Sequence, residues 1–325
     1  MKRLVLVCMV VVLVGTGVPG LGLGADRIKI AMGYIPNVQF APYYLAKEKG
    51  YFHEQGLEVK FDYGMATDIM SLVAQGEVDF GVSDGDQVII AREKGVPVKV
   101  VYSMYVKYPV GIVSFKQKGI QTAEDLKGKR IGCPGPYGSS FIGLQIILQS
   151  GGLTLKDVDV KYIGYNQIES LVSDRVDAAV VFINNEPIVL RERGKEVNVI
   201  ETHPITPMVS AAVITGERMI REQPGLVSRF VKAIQKASRD ALENKNQVIY
   251  QIKEYIPTLG QENLPVNQKV LMASMELWVD RDIKQYTLGY TTREDWQKSI
   301  QTMYRLGFIE SKPAPEECFT NEFIK

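Results

Sequence analysis

Two stretches of this chain repeat one plan: "GLEVKFDYGMATDIMSLVAQGEVDFGV" from Gly56 to Val82, and "GLTLKDVDVKYIGYNQIESLVSDRVDAAVV" from Gly152 to Val181. Each opens with alternating apolar residues (Val59 to Tyr63; Val160 to Ile163), which is the two-residue period of a half-buried strand. Apolar residues at helical spacing follow (Asp68 to Gln75; Gln167 to Asp174), and a short apolar run entered through Val-Asp closes each copy, with Asp79 and Asp177 in equivalent places. The pattern predicts a β-α-β unit, twice. Alternating strands and helices build open, largely parallel sheets that bind ligands beyond the carboxyl ends of their strands. One repeat per lobe sets two such rims face to face. The apolar strands Val110 to Phe115 and Ser210 to Thr215 bracket the second copy and are the candidate crossovers. The expected partition is therefore residues 25–111 plus 213–325 for lobe 1 and 112–212 for lobe 2. In the tail, Val227, Phe230, Val231, Ile234, Ala237 and Ala241 fall on one helical face, the pattern of core packing.

Residues 1–24 are expected to be a secretory signal peptide. Lys2 and Arg3 precede an unbroken apolar run from Leu4 to Val14, and small residues through Gly15, Gly20 and Gly22 lead to a cleavage point near Ala25. A membrane-spanning helix needs about 20 predominantly apolar residues, and this core has about half that. Cys8 lies inside the apolar run behind Val7, a poor setting for lipid attachment. The remaining chain of about 300 residues exceeds what one hydrophobic core organises, in keeping with two lobes. Lys and Arg number 38 against 37 Asp and Glu, for a formal charge of +1, with no basic stripe to hold nucleic acid or an anionic membrane. Cys133 and Cys318 remain outside the leader, and an oxidising compartment permits, without requiring, a disulfide between them. With only His53 and His203 and no cysteine cluster, metal catalysis is not expected; His53 suits a surface helix end.

Four loops should face the cleft. The first, Tyr34 to Phe40, precedes a helix from Ala41; Tyr34 and Phe40 offer flat faces to a ring, and Asn37 and Gln39 offer paired donors and acceptors. A capped helix start with its aromatics turned inward is the alternative. The second, Ser83-Asp84-Gly85-Asp86-Gln87, follows the first echo strand; Ser83 and Asp84 are the ligand candidates, while Asp86 suits a helix cap equally well. The third runs from Gly135 through Tyr137, Gly138 and Ser139 into a helix, so free backbone N–H groups and a hydroxyl converge there, although the glycines also serve a simple turn. No Lys-Ser/Thr follows, so it is not a phosphate-binding P-loop. The fourth, Phe182 to Glu186, includes Asn184 and Asn185, and Glu186 can accept a charge-assisted bond from a ring N–H or an amine; it also suits a helix first turn. None of these loops holds Lys or Arg. An anion would find only backbone dipoles, so a neutral or amine-bearing heteroaromatic is favoured.

Four blocks in order carry a resemblance to a known family: "GYIPNVQFAPYYLAKEKGYFHEQGLEV" (Gly33 to Val59), "LVAQGEVDFGVSDGD" (Leu72 to Asp86), "TAEDLKGKRIGCPGPYGSS" (Thr122 to Ser140) and "DAAVVFINNEPIVL" (Asp177 to Leu190). Essentially end to end after the leader, the chain resembles the sulfonate, nitrate and thiamine-pyrimidine branch of ABC solute-binding proteins, which is related to the yeast pyrimidine-synthesis protein. The resemblance implies a two-lobe periplasmic-binding-protein (Venus flytrap) α/β fold, type II-like, each lobe a largely parallel sheet flanked by helices. It further implies capture of a small molecule between the lobes, delivery to an inner-membrane permease and its ATPase, a periplasmic location, and neither a catalytic residue nor a cofactor. In the thiamine-pyrimidine branch Tyr34 resembles a stacking aromatic, Asn37 a polar contact, and Glu186 the acid that reads the aminopyrimidine. Phe40 stands where that branch often carries histidine. The expected cargo is a hydroxymethylpyrimidine-type thiamine precursor, with riboflavin or a sulfonate or nitrate as alternatives. A pyrimidine-synthase-like enzyme and a periplasmic sensor subunit are the rival classes. A monomer is expected of a diffusing carrier.

Overall fold

The computed structural model describes residues 24–63, 69–279 and 287–325. The leader up to residue 23 and the expected helix start at Asp68 lie outside the described residues. Strands β1 (Asp26–Ala31), β2 (Leu57–Asp62), β3 (Phe80–Asp84), β4 (Val98–Ser103) and β10 (Ala211–Gly216) form one five-stranded sheet in the order β2-β1-β3-β10-β4. Strands β5 (Val110–Phe115), β6 (Arg130–Cys133), β7 (Asp159–Tyr162), β8 (Ala178–Phe182) and β9 (Val197–Glu201) form the other, in the order β7-β6-β8-β5-β9. The two orders are the same plan, and in each a single strand, β10 or β5, runs against the other four.

The Val-Asp signature sets the register of both echoes. In the first, Asp79 donates its backbone N–H to the Lys29 carbonyl (2.9 Å), while its carboxylate accepts the Lys29 N–H (2.8 Å). In the second, Asp177 donates to the Arg130 carbonyl (2.8 Å) and accepts the Arg130 N–H (3.0 Å). A side chain thus closes the ladder where strand pairing begins and gives the Lys29 and Arg130 N–H groups a partner. The second copy adds charge: Arg130 forks onto both oxygens of Asp177 (3.0 and 2.8 Å), and Lys118 joins at 3.0 Å.

The sheets relocate the crossovers. Among the described residues β5 pairs only with β8 and β9, and β10 only with β3 and β4, so each belongs to one sheet. The chain passes between sheets in 104–109 and again in 202–210, a few residues before the expected limits within β5 and β10. The physical reason is burial on both faces, since a central strand covered by helices on each side shows the unbroken apolar run that marked these segments.

The helix Pro224–Glu243 buries the expected face, and its Phe230 stacks on Phe80 (centroids 4.0 Å apart) and on Phe52 (5.3 Å). Full burial of such a side chain contributes about 2–3 kcal/mol. A second apolar cluster runs through the junction, joining Val88 and Ile89 of the first lobe to Val110, Ile131 and Ile142 of the second. Cys133 and Cys318 are both buried free thiols, raised in pKa by burial. His53 is exposed in the short helix Tyr51–Glu54, as expected.

Candidate functional site

The carboxyl ends of the parallel strands deliver four loops to the space between the lobes. After β1, Tyr34 is half-buried, and its ring meets the edge of Tyr165 from the second lobe at 5.3 Å and 65°. Burial, the Glu186 carboxylate and Tyr165 all push the Tyr34 hydroxyl upward in pKa. Asn37 behaves as a cap: its Oδ1 accepts the Gln39 N–H (3.0 Å) at the start of a 3-10 turn, Val38–Phe40, that runs into the helix Ala41–Glu48. Phe40 turns inward, edge-on to Tyr43 and Tyr44. The bonds recorded at Asn37 and Phe40 thus serve the helix start and core.

At the end of β3, Ser83 pairs with Ala212 of β10, and Asp84 is the residue before the helix Gly85–Glu93, its carboxyl making no cap bond. Asp84 Oδ2 instead accepts the Ser139 hydroxyl from the opposite lobe at 2.8 Å. Asp86 lies in the helix's first turn, fully buried, and accepts from the Gln87 side chain (2.9 Å), with Ser139 Oγ at 3.0 Å and Tyr108 Oη at 2.6 Å. Its carboxyl therefore serves the lobe junction. Desolvation raises both acids, Asp84 to about 7.

Across the cleft, Tyr137 is exposed and precedes the helix Gly138–Ser150; its ring lies over Gly135, where a Cβ would come within 2.7 Å of it. Gly138 has φ +73°, a left-handed conformation suited to glycine. At this helix N-terminus Ser139 turns to the two carboxyls of the first lobe, so the partner it meets there is acidic protein.

After β8, Asn184 is buried and donates to Ser274 Oγ (2.8 Å), with Tyr105 Oη at 3.5 Å. Ser274 belongs to the helix Leu264–Leu277, whose Lys269 also pairs with Glu192 of the second lobe at 2.7 Å. Asn185 is the residue before the helix Glu186–Glu192, and its side-chain amide lies 3.4 Å from Glu186 Oε1. Glu186 Oε2 accepts the Phe182 N–H at 3.1 Å, closing the loop 182–186 on itself. Burial pushes its pKa from the usual value to about 7, against the restraining effect of those donors. A carboxyl poised there has a charged form that takes an N–H strongly in a drained cleft.

Tyr165 thus meets the Tyr34 ring and feels Tyr137 and the Asp84 carboxylate, while Asp84 holds Ser139 and Glu186 acts on Tyr34. Tyr165 itself, Tyr105, Tyr108 and Ser274 were missed in the sequence. Tyr165 had a usable signal, since it follows β7 as the other loops follow their strands. Ser274 had none, lying on a helix whose spacing reads as core.

A family model described as NMT1/THI5 like matches residues 37–248. The chain is 34% identical to the riboflavin-binding protein RibY of Chloroflexus aurantiacus over 92% of this chain and 86% of that one. It is 24% identical to the 4-amino-5-hydroxymethyl-2-methylpyrimidine phosphate synthase of Aspergillus parasiticus over 93% and 88% of the two chains. Among solved structures, the periplasmic aliphatic sulphonate binding protein SsuA from Escherichia coli superposes with a TM-score of 0.72 at 15% identity, covering 90% of this chain and 91% of that one. The two five-stranded sheets are thus the two lobes of a periplasmic-binding-protein fold, and the protein belongs to the NMT1/THI5-like family.

Proposed function

We propose that this protein is the substrate-capturing subunit of an ABC importer, closing its lobes on a planar heteroaromatic that donates hydrogen bonds. The observation that carries the reading is the pairing of Tyr34 and Tyr165 across the cleft beside Glu186. Two rings from opposite lobes can take the faces of a third, so stacking and closure become one event. The carboxylate beside them fixes the orientation of a ring N–H or imide edge. The acids of the cleft owe their raised values chiefly to desolvation, a setting that repels nitrate or an alkyl sulfonate.

Riboflavin is the first ligand to try, ahead of the hydroxymethylpyrimidine type first expected, because the riboflavin-binding relative shares 34% identity and the pyrimidine synthase 24%. The ligand-contacting set comprises Tyr34, Asp84, Tyr137, Ser139, Asn185, Glu186 and Tyr165, with Asn184 holding the lobes together. We assign residues 25–103 and 211–325 to lobe 1 and 110–201 to lobe 2. Residues 1–24 act as a cleaved leader to the periplasm, where the loaded protein meets its permease; it turns over nothing.

Titration of the purified protein with riboflavin, a hydroxymethylpyrimidine, taurine and nitrate decides the cargo. Riboflavin should bind with quenched fluorescence as its ring stacks. Binding of the sulfonate or nitrate alone would overturn the heteroaromatic reading, and conversion of a ligand into product would overturn the carrier role. Mass spectrometry of the exported protein should begin the chain near Ala25.

A further inference from the structure

Four short oxygen–oxygen contacts tie the first lobe to the second at the base of the cleft. Tyr108 Oη lies 2.6 Å from Asp86 Oδ2 and 2.9 Å from the Ser139 carbonyl; Ser139 Oγ lies 2.8 Å from Asp84 Oδ2 and 3.0 Å from Asp86 Oδ1. Each contact needs a proton between its oxygens. A hydroxyl carries one proton, so Tyr108 and Ser139 together supply two. With both carboxyls ionised, two of the four pairs would face each other lone pair to lone pair, and Asp86 and Tyr108 are fully buried where no water relieves them. A proton on Asp86 Oδ2 settles the first pair of contacts: it donates to Tyr108, which donates to the Ser139 carbonyl. A proton on Asp84 settles the second, donating to Ser139 Oγ while Ser139 donates to Asp86 Oδ1. Gln87 Nε2 donates to Asp86 Oδ1 at 2.9 Å but reaches neither deficit.

Among the described residues, no Lys or Arg acts on either carboxyl in place of a proton. The ionisable groups facing the pair are Tyr105 and Tyr108 from the first passage and Tyr165 from the second lobe, each of which feels the Asp84 charge. The helix Gly138–Ser150 and β10 contain no ionisable side chain, and the helix Arg293–Arg305 presents Trp296 to Gly85. Desolvation dominates at both carboxyls, and the Asp86 charge raises Asp84 further.

We propose that Asp84, Asp86, Ser139 and Tyr108 form a proton-operated catch between the lobes: the closed form holds at least one proton more than the open form. Closure therefore weakens as pH rises, up to about tenfold per pH unit for each proton taken up. The proposal rests on the two lobes acting as a closing trap and on no particular ligand.

Small-angle X-ray scattering of the purified protein without ligand tests it, from about pH 5 to about pH 9. The radius of gyration should grow with pH as the lobes part. Asp86→Asn should open less steeply with pH than the wild type, because its amide NH2 donates to Tyr108 in place of the Asp86 proton while its oxygen accepts from Ser139, which leaves Asp84 alone to titrate; should that variant fail to fold, Asp84→Asn, whose amide donates to Ser139 Oγ, takes its place. Glu186→Gln should open like the wild type, excluding Glu186 as the titrating group. A radius independent of pH, or an Asp-to-Asn variant that opens like the wild type, overturns the catch. Riboflavin titrations over the alkaline half of the range add a second readout, in which the affinity of Asp86→Asn falls less with pH than that of the wild type. If riboflavin binds at no pH, the choice of cargo fails while the scattering result still decides the catch.

Discussion

Replacing Glu186 with glutamine keeps the shape and the acceptor that receives the Phe182 N–H, and removes only the charge. An N–H bond to a charged acceptor is worth about 1.5–3 kcal/mol, so the Kd for riboflavin at pH 8.5 should rise roughly ten- to a hundredfold. The pH dependence sharpens the test. Burial holds Glu186 at about 7, so acidification through that value discharges the wild-type carboxyl, and the two proteins should converge in affinity near pH 5.5. Stability should move the other way. The folded protein binds the Glu186 proton more tightly than the unfolded chain, so the wild type is favoured below the unfolded value of about 4.5 and loses that advantage as pH rises through about 7. The loss approaches roughly 3 kcal/mol, and glutamine avoids it. At pH 8.5 the variant should therefore melt at a higher temperature while binding less well. Isothermal titration calorimetry and thermal denaturation at the two pH values measure both effects. Equal Kd values at pH 8.5 would refute the ligand role and leave Glu186 as the residue that closes the 182–186 loop.

Truncating Tyr165 to alanine should weaken riboflavin by about 1–2 kcal/mol and reduce the fluorescence quench, with phenylalanine restoring most of both. Ser274→Ala should lose about 1 kcal/mol of closure through the Asn184 bond, read as faster hydrogen exchange in the helix Glu186–Glu192. Asp177→Ala should destabilise the protein by about 2–3 kcal/mol in urea, more than Asp79→Ala, because it breaks an Arg130 fork as well as a strand closure. Arg130 and Lys118 hold the Asp177 carboxyl below its usual range, so the gap between the two variants should shrink as pH falls below about 4. With Cys133 and Cys318 both free thiols, reductant should leave Tm unchanged.

The fold was legible because its decisive signals are local. The two echoes, the Val-Asp entries and the helical stripe of Val227, Phe230 and Ile234 all read correctly from neighbours in sequence. So did strand Arg130 to Cys133 and the helix from Ala41. The crossovers were misplaced because burial, which the pattern reports, does not reveal which sheet buries a strand. The site was legible only in part. Loop position named Tyr34, Asp84, Ser139 and Glu186 as candidates, and the structure sets them on loops between the lobes, but the two carboxyls meet Ser139 and Tyr108 through contacts that link distant parts of the chain. Asn37 shows the converse, since short polar residues beside a helix serve its backbone as readily as a ligand.

The sheet order also governs how the chain comes together in time. Strand β10 lies between β3 and β4, so β4 has no hydrogen-bonded neighbour in its sheet until residues 211–216 have arrived. Residues 110–201, by contrast, contain all five strands of their own sheet in one uninterrupted span. The second lobe should therefore condense as an early folding nucleus while the first waits for a distant segment, whose closure entropy slows it. Destabilising substitutions in β10 should lengthen the life of a half-assembled intermediate with the edge of β3 bare, and it is there that an export-stage chaperone or a protease would find its opening.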